Sequence, residues 1–332
     1  RVQDRHPTSQ NKVDYAAYGN KLTSRMRKQE KIFYQNLIIE NKQNLRKTWS
    51  IIKDVINKNK STRCTTVFKH GDREITDRHD ITERFNDFFV NVGPSLACNI
   101  PGPVQDFGTF LPPSNPHSIF LTPVTESEIN STVKTFKNGS PGWDNIKAQN
   151  VQCIVEHLSK SLCHIYNLSF KEGIFPKELK ITKVVPIYKN NDPMQFTNYR
   201  PISLLSLFSK LLERLMYKRL IKFIKNCKIL YKYQFGFLEN HSTYMALIIL
   251  MDKITSALDR GEYVIGVFLD FRKAFDTVDH KILLHKLYTY GIRGVVYNWF
   301  VDYLSGRTQY VYYNDTSSDF KTITCGVPQG SI

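Results

Sequence analysis

The residue with the clearest chemical potential is Asp270, which closes the run YVIGVFLD, otherwise apolar apart from its glycine. An ionised carboxylate at the end of a buried strand is costly unless it binds a cation or leaves the core. Hard oxygen ligands suit magnesium, which keeps several waters and bridges one or two carboxylates to substrate phosphates. The competing reading of an aspartate in this place is a helix cap or turn former. Further on, GVPQG (326–330) holds Gln329 in a turn whose glycines, Gly326 and Gly330, let the backbone approach a neighbour closely. Asp276 and Asp279 follow Asp270 at positions better suited to caps than to ligands. Six cysteines (Cys64, Cys98, Cys153, Cys163, Cys227, Cys325) occur without CxxC or His-rich spacing, so they read as reduced packing thiols and not as a zinc site or disulfide framework.

These residues must be positioned by elements that the sequence announces. YVIGVFLD, residues 263–270, predicts a buried strand ending on its carboxylate. ITKVVPIYK (181–189) predicts a second strand, which Pro186 pushes toward a sheet edge. Residues 203–225 and 242–259 predict helices, the second ended by Gly261. Asp279 suits the cap of HKILLHKLYTY, with Gly291 ending that helix, and VVYNWFVDYL repeats apolar residues at helical spacing. QYVYY, NDTSS and FKTITC predict a hairpin leading into Gly326. Upstream, Asp80 with Glu83 resembles a capping box for a helix closing near Gly93 and Pro94, and Thr125 with Glu128 resembles another. Pro101, Pro103, Pro112, Pro113, Pro116 and Pro123 predict a linker between the two.

The chain has 332 residues, 41% hydrophobic and 13% aromatic, enough for about two domains and a substantial core. Apolar stretches are too short for a membrane span of about 20 residues, and the first residues lack the apolar core of a signal peptide. Lys and Arg number 46 against 30 Asp and Glu, a formal charge of +16, and residues 1–75 carry 17 basic against 7 acidic side chains. Such a field attracts a polyanion, nucleic acid first and an acidic membrane surface second. Residues 12–57 carry apolar positions at spacings of three and four, including Tyr18, Leu22, Met26, Trp49 and Ile52. They predict two or three amphipathic helices whose outward faces hold Arg25, Arg27, Lys28, Lys31, Arg46 and Lys47.

Six blocks then occur in a telling order: SPGWDNI (140–146), VVPIYK (184–189), NYRPISLLSLFSKLLER (198–214), YQFGF (233–237) with HST (241–243), VFLDFRKAFDTVDH (267–280) and GVPQGSI (326–332). Over residues 125–332 the chain resembles the reverse transcriptases of non-LTR retrotransposons of the long interspersed element, jockey-like type. The resemblance implies an α+β fold: right-hand polymerase fingers and a partial palm, preceded by a basic helical extension. It divides the chain into an extension (1–110), a Pro-rich linker (111–124), fingers (125–262) and partial palm (263–332). The implied activity is RNA-directed DNA polymerisation, extending a DNA primer on an RNA template with deoxynucleoside triphosphates.

By the same resemblance Asp270 is a magnesium (Mg2+) ligand and the backbone carbonyl of Phe271 a further one, in a site where two ions about 3.5–4 Å apart clamp the attacking and leaving oxygens. Phe275 is the aromatic beneath the sugar that collides with a ribose 2′-hydroxyl; its plainer reading is a core aromatic. Lys189 and Arg200 face the incoming triphosphate, Arg forking across two oxygens and Lys acting as a point charge. Gln329 packs near the nucleotide and template base, and Gly142 and Asp144 order the fingers. Trp143 stands where the family more often has a small residue or proline, and Leu238 where an arginine is common. No Tyr/Phe-x-Asp-Asp block occurs in the chain, so by itself it is expected not to polymerise. The alternatives are a non-catalytic nucleic-acid-binding fragment or a decayed mobile-element remnant. A retroelement polymerase implies an intracellular setting, nuclear or cytoplasmic, with no membrane partner.

Overall fold

The computed structural model describes residues 9–55, 65–71, 73–98 and 106–330. Ile56 and Asn57 of the predicted helical run, Cys64, Pro101, Pro103 and the last two residues of GVPQGSI lie outside the described residues. The chain divides into two units, residues 1–64 and 65–332. In the first, the helical spacing yields α1 (Ser9–Glu40) and α2 (Leu45–Val55). Gly19 does not interrupt α1. The break falls instead at Asn44, whose Oδ1 accepts from Lys47 N–H at 3.1 Å and so caps α2. Arg25, Arg27, Lys28 and Lys31 are all exposed.

The second unit is a mixed α+β fold. Among the described residues its strands form a two-stranded sheet, β1 (Phe68–His70) with β2 (Arg73–Ile75), and a larger one ordered β4-β3-β5-β6, with β7 also on β5. These are β3 (Ile181–Tyr188), β4 (Tyr199–Leu205), β5 (Thr308–Tyr313), β6 (Thr316–Ser317) and β7 (Lys321–Thr322). β3 pairs antiparallel with β4 from Thr182 to Tyr188 and parallel with β5 only from Ile181 to Val184. It is therefore internal at its start and an edge at its end, and Pro186 sits in the one-sided half, opposite Pro201. That location reconciles an internal strand with its proline, because the missing N–H falls where no second neighbour asks for one.

Seven α-helices accompany these strands among the described residues. α3 (Arg78–Cys98), α4 (Glu126–Lys134), α5 (Ala148–Glu172), α6 (Leu207–Asn226), α7 (Thr243–Asp259), α8 (His280–Thr289) and α9 (Gly294–Leu304) follow in chain order. The predicted caps Thr125 and Asp279 accept from Glu128 N–H and Ile282 N–H. α3 starts earlier than its sequence suggests: Asp77, not Asp80, accepts the N–H of the residue three ahead, at 2.8 Å, while Asp80 pairs with Arg84. It also continues through Pro94 to Cys98. The helix predicted from 203 begins at 207, because Ser203 to Leu205 belong to β4 and Ser206 becomes the cap.

Two cores result. One gathers Val133, Val155, Tyr166, Leu211, Leu215, Trp299 and their neighbours from α4, α5, α6 and α9. The other is aromatic: Phe85 of α3 meets Phe68, Phe196, Tyr199 and Tyr313 at ring separations of 4.8–5.5 Å, mostly edge to face. Polar bonds pin α3 over β5 as well, since Asn86 donates to Ser318 Oγ and accepts from Gln309 Nε2.

Glu83 adds a charged tie between α3 and the β6–β7 connection. Burial alone would raise its carboxyl, but the Asp319 N–H and the Lys321 ammonium, 3.0 Å away, outweigh that and hold it below its usual 4.5. A depressed carboxyl stabilises the fold above the unfolded value and loses that contribution as pH falls through the folded one. Glu83→Gln is therefore expected to lower the urea midpoint at about pH 7, with the gap from the parent narrowing as pH falls below 4.5 and through the depressed folded value. A gap independent of pH would remove the ionic tie.

One expectation fails. Residues 263–271 form no strand, and Tyr263 is 99%, Ile265 88% and Leu269 84% exposed. A strand apolar on both faces needs neighbours to accept its hydrogen bonds and to cover it, and among the described residues none pairs with this segment.

Candidate active site

The β3–β4 hairpin sets two cations side by side. Even residues of β3 and odd residues of β4 point into the core, so the register Ile187↔Arg200 and the bond Lys189 N–H to Asn198 O put Lys189 and Arg200 on the outer face, diagonal to one another. Both are exposed and free of ion pairs among the described residues. The start of this hairpin's helix is fixed by SPGWDNI. Asp144 accepts from Ser206 Oγ at 2.6 Å, and a side chain on Gly142 would collide with the backbone at Leu205 and Ser206.

Opposite the hairpin lies the turn 272–277, which follows Asp270 directly. Together they bound a groove of about 730 Å3. Every predicted site residue lines it: Lys189, Arg200, Asp270, Phe271, Phe275 and Gln329. Asp270 is exposed, and its carboxylate has no hydrogen bond or ion pair with a described residue. Phe275 meets Phe237 of the YQFGF block edge to face at 6.1 Å. Gln329 is half-buried, and its carbonyl accepts Ser203 N–H from β4 at 2.9 Å.

Several groove residues carry no signal in the sequence. α3, about 175 residues upstream of the turn, contributes Phe88, Val92 and Leu96. Lys273 adopts a left-handed backbone (φ 51°) and places its ammonium 4.5 Å above the Phe88 ring, a cation–π contact. Burial pushes the Lys273 amine below its usual range; Asp276 opposes this, while Arg272 and Lys189 reinforce it. Asp276, which its spacing suggests as a cap, instead lines the groove, and burial raises its carboxyl against the pull of Lys273. Only Asp279 caps α8. The groove thus combines four cations, two carboxylates and exposed aromatic rings, a set suited to a phosphate-bearing planar ligand.

Residues 187–332 match the reverse transcriptase (RNA-dependent DNA polymerase) family. This segment is a reverse transcriptase domain. Over 217 residues, 65% of its length, the whole chain is 34% identical to a probable RNA-directed DNA polymerase from transposon BS of Drosophila melanogaster. Over 259 residues, 76% of the chain, it is 30% identical to the RNA-directed DNA polymerase from mobile element jockey of the same fly. A probable RNA-directed DNA polymerase from its transposon X-element is 30% identical over 214 residues, 64% of the chain. The alignments take in 24%, 27% and 24% of those proteins, so the chain spans about a quarter of the length of its relatives. The reverse transcriptase domain contains all but a fraction of the groove: Lys189, Arg200, Asp270, Phe275 and Gln329 fall inside it, and α3 supplies the remaining wall from outside. Among the described residues no helix is long and apolar enough to cross a membrane.

Proposed function

We propose that the chain serves as the polymerase part of a non-LTR retrotransposon protein, extending a DNA primer on an RNA template inside the cell, in the nucleus or cytoplasm. The observation that carries this reading is the convergence of six residues, spread over 140 positions from Lys189 to Gln329, on one groove with a carboxylate that no described residue pairs, set among cations. In this reading residues 125–262 are fingers and 263–332 part of a palm, after a basic extension (1–110) and a linker (111–124).

The donor set fits magnesium: an exposed carboxylate without partners among the described residues, followed by the Phe271 carbonyl, is hard-oxygen ligation open to the solvent. A bound ion supplies positive charge to the oxygens on which charge develops during nucleotidyl transfer. The chain's own residues do the rest. Arg200 and Lys189 hold the triphosphate, one as a fork and the other as a point charge. The Phe275 ring bounds the sugar and disfavours a 2′-hydroxyl, and Gln329 bounds the base. The exposed cations of α1 bind template phosphates, an affinity that falls with salt.

Among the described residues lining the groove, Asp270 is the one exposed carboxylate; Asp276 is half-buried beside Lys273, which leaves a pair of magnesium ions a single free carboxylate to share. This favours a second reading for the 332 residues by themselves: they bind primer and template without extending them. The test is primer extension on RNA with magnesium, run for the chain and for the chain joined to a hairpin bearing two adjacent aspartates. Extension by the joined form alone is the expected result. No extension by either form would refute the polymerase reading, and extension by the short form would refute the second.

A further inference from the structure

Phe275 and Gln329 lie 54 residues apart, yet the turns that carry them are built as one piece. Val327 N–H donates to the Phe275 carbonyl and Gly326 N–H to the Val278 carbonyl, both at 2.8 Å. Gly326 has φ of +81°, and a Cβ there would stand 3.0 Å from the carbonyl oxygens of both Phe275 and Asp276. From behind, Gly93 of α3 leaves room for Cys325 and the Asp276 carbonyl, where any side chain would collide.

A single side chain completes the junction. His280 Nε2 lies 2.7 Å from the Gly326 carbonyl oxygen, and because a carbonyl can only accept, the ring nitrogen is the donor. His280 is the first residue of α8, whose cap bond from Ile282 N–H to Asp279 fixes where the imidazole leaves the helix. It does not line the groove. On the far side, Ser203 N–H holds the Gln329 carbonyl. The GVPQG turn is therefore suspended between β4 and the start of α8.

We propose that His280 is a specificity-determining positioning residue: its hold on Gly326 sets the separation between the Phe275 ring and Gln329, and with it how strictly the groove selects deoxyribose over ribose. The selectivity clause rests on the polymerase reading given above; the clamp itself does not. Without the imidazole N–H, the two backbone bonds remain but the turn opens more often, and Gln329 moves relative to the ring.

Two measurements separate these parts. In the first, hydrogen exchange is followed in the 332-residue chain for the parent, His280→Leu and His280→Gln. Leucine is expected to speed exchange across 325–330 about tenfold, as loss of one hydrogen bond implies, with β3 and α5 unchanged, and glutamine to restore protection through its amide N–H. Unchanged exchange, a rise spread evenly over the chain, or no rescue by glutamine would overturn the clamp. In the second, the joined, extension-competent form is assayed for kcat/KM with deoxy- and ribonucleotides. The ratio is expected to fall about tenfold in the leucine variant and to recover in the glutamine variant. An equal loss on both sugars would refute the role in selectivity. If the parent extends no primer, the polymerase reading and the selectivity clause fall together, while exchange still decides the clamp.

Discussion

Replacing Asp270 by asparagine in the joined form is expected to cut magnesium-dependent primer extension by about a thousandfold or more, because the substitution removes the anionic oxygen on which the ion's charge is placed. The same change is expected to leave the fold untouched. Asp270 is exposed and bonds to no described residue, so its replacement disturbs no packing, and surface changes of this kind stay within about 0.5 kcal/mol. Template affinity should hold or rise slightly, since one negative charge leaves a groove that receives phosphates. Extension, a thermal melt and salt-dependent RNA binding together read these outcomes. A variant that still extends primers would move the metal-binding role away from Asp270, and one that melts early would show the carboxylate to be structural.

Phe85→Ala is expected to have the largest effect on the fold. Phe85 has no exposed surface and touches five other rings, and removing a buried phenyl of this kind costs about 3–5 kcal/mol from lost transfer energy plus the cavity left behind. Against a typical total of about 5–15 kcal/mol, that is a large share. Urea unfolding of the full chain measures it, and Phe85→Leu, which keeps more of the volume, should lose distinctly less. Because α3 also supplies Phe88, Val92 and Leu96 to the groove, ligand binding should weaken in step with the lost stability. A loss below about 1 kcal/mol would mean that the ring cluster is not the packed core described.

The groove was legible in the sequence to the extent that its members are tied to local pattern. Lys189 ends a run whose β-branched residues predict β3; Arg200 is picked out only by the resemblance of its block, since nothing local in YRPISLL announces β4, and the alternation of buried and exposed residues in the two strands puts both cations on one face. Gln329 stands between residues that force a turn. Thr125 and Asp279 cap their helices as their spacing to the following N–H groups implies. Long-range supply was not legible. YVIGVFLD states a demand for neighbours on both faces, but a sequence run cannot say whether the folded chain provides them, and among the described residues it does not. Likewise Asp80 precedes a plausible first turn, and only the bond from its own N–H to Asp77 shows that the cap lies three residues earlier. Pro94 suggests a helix end, yet α3 is held past it, with Gly93 packed against Cys325 and Asp276 from segments far along the chain. Lys273 was invisible for the same reason: its left-handed backbone and its seat over Phe88 depend on a helix about 185 residues earlier.

The outer margin of β4 has a consequence for how copies of this protein behave together. Tyr199 N–H is spent on the Phe196 carbonyl, Pro201 has no N–H to give, and Ser203 N–H is taken by Gln329. Along that border a foreign β-segment finds no successive donors to dock on, so growth of fibrils by edge-to-edge addition is blocked at this side of the sheet. The turn that bounds the groove thus doubles as a seam binding, and loosening it would expose a template for self-association as well as a misplaced glutamine.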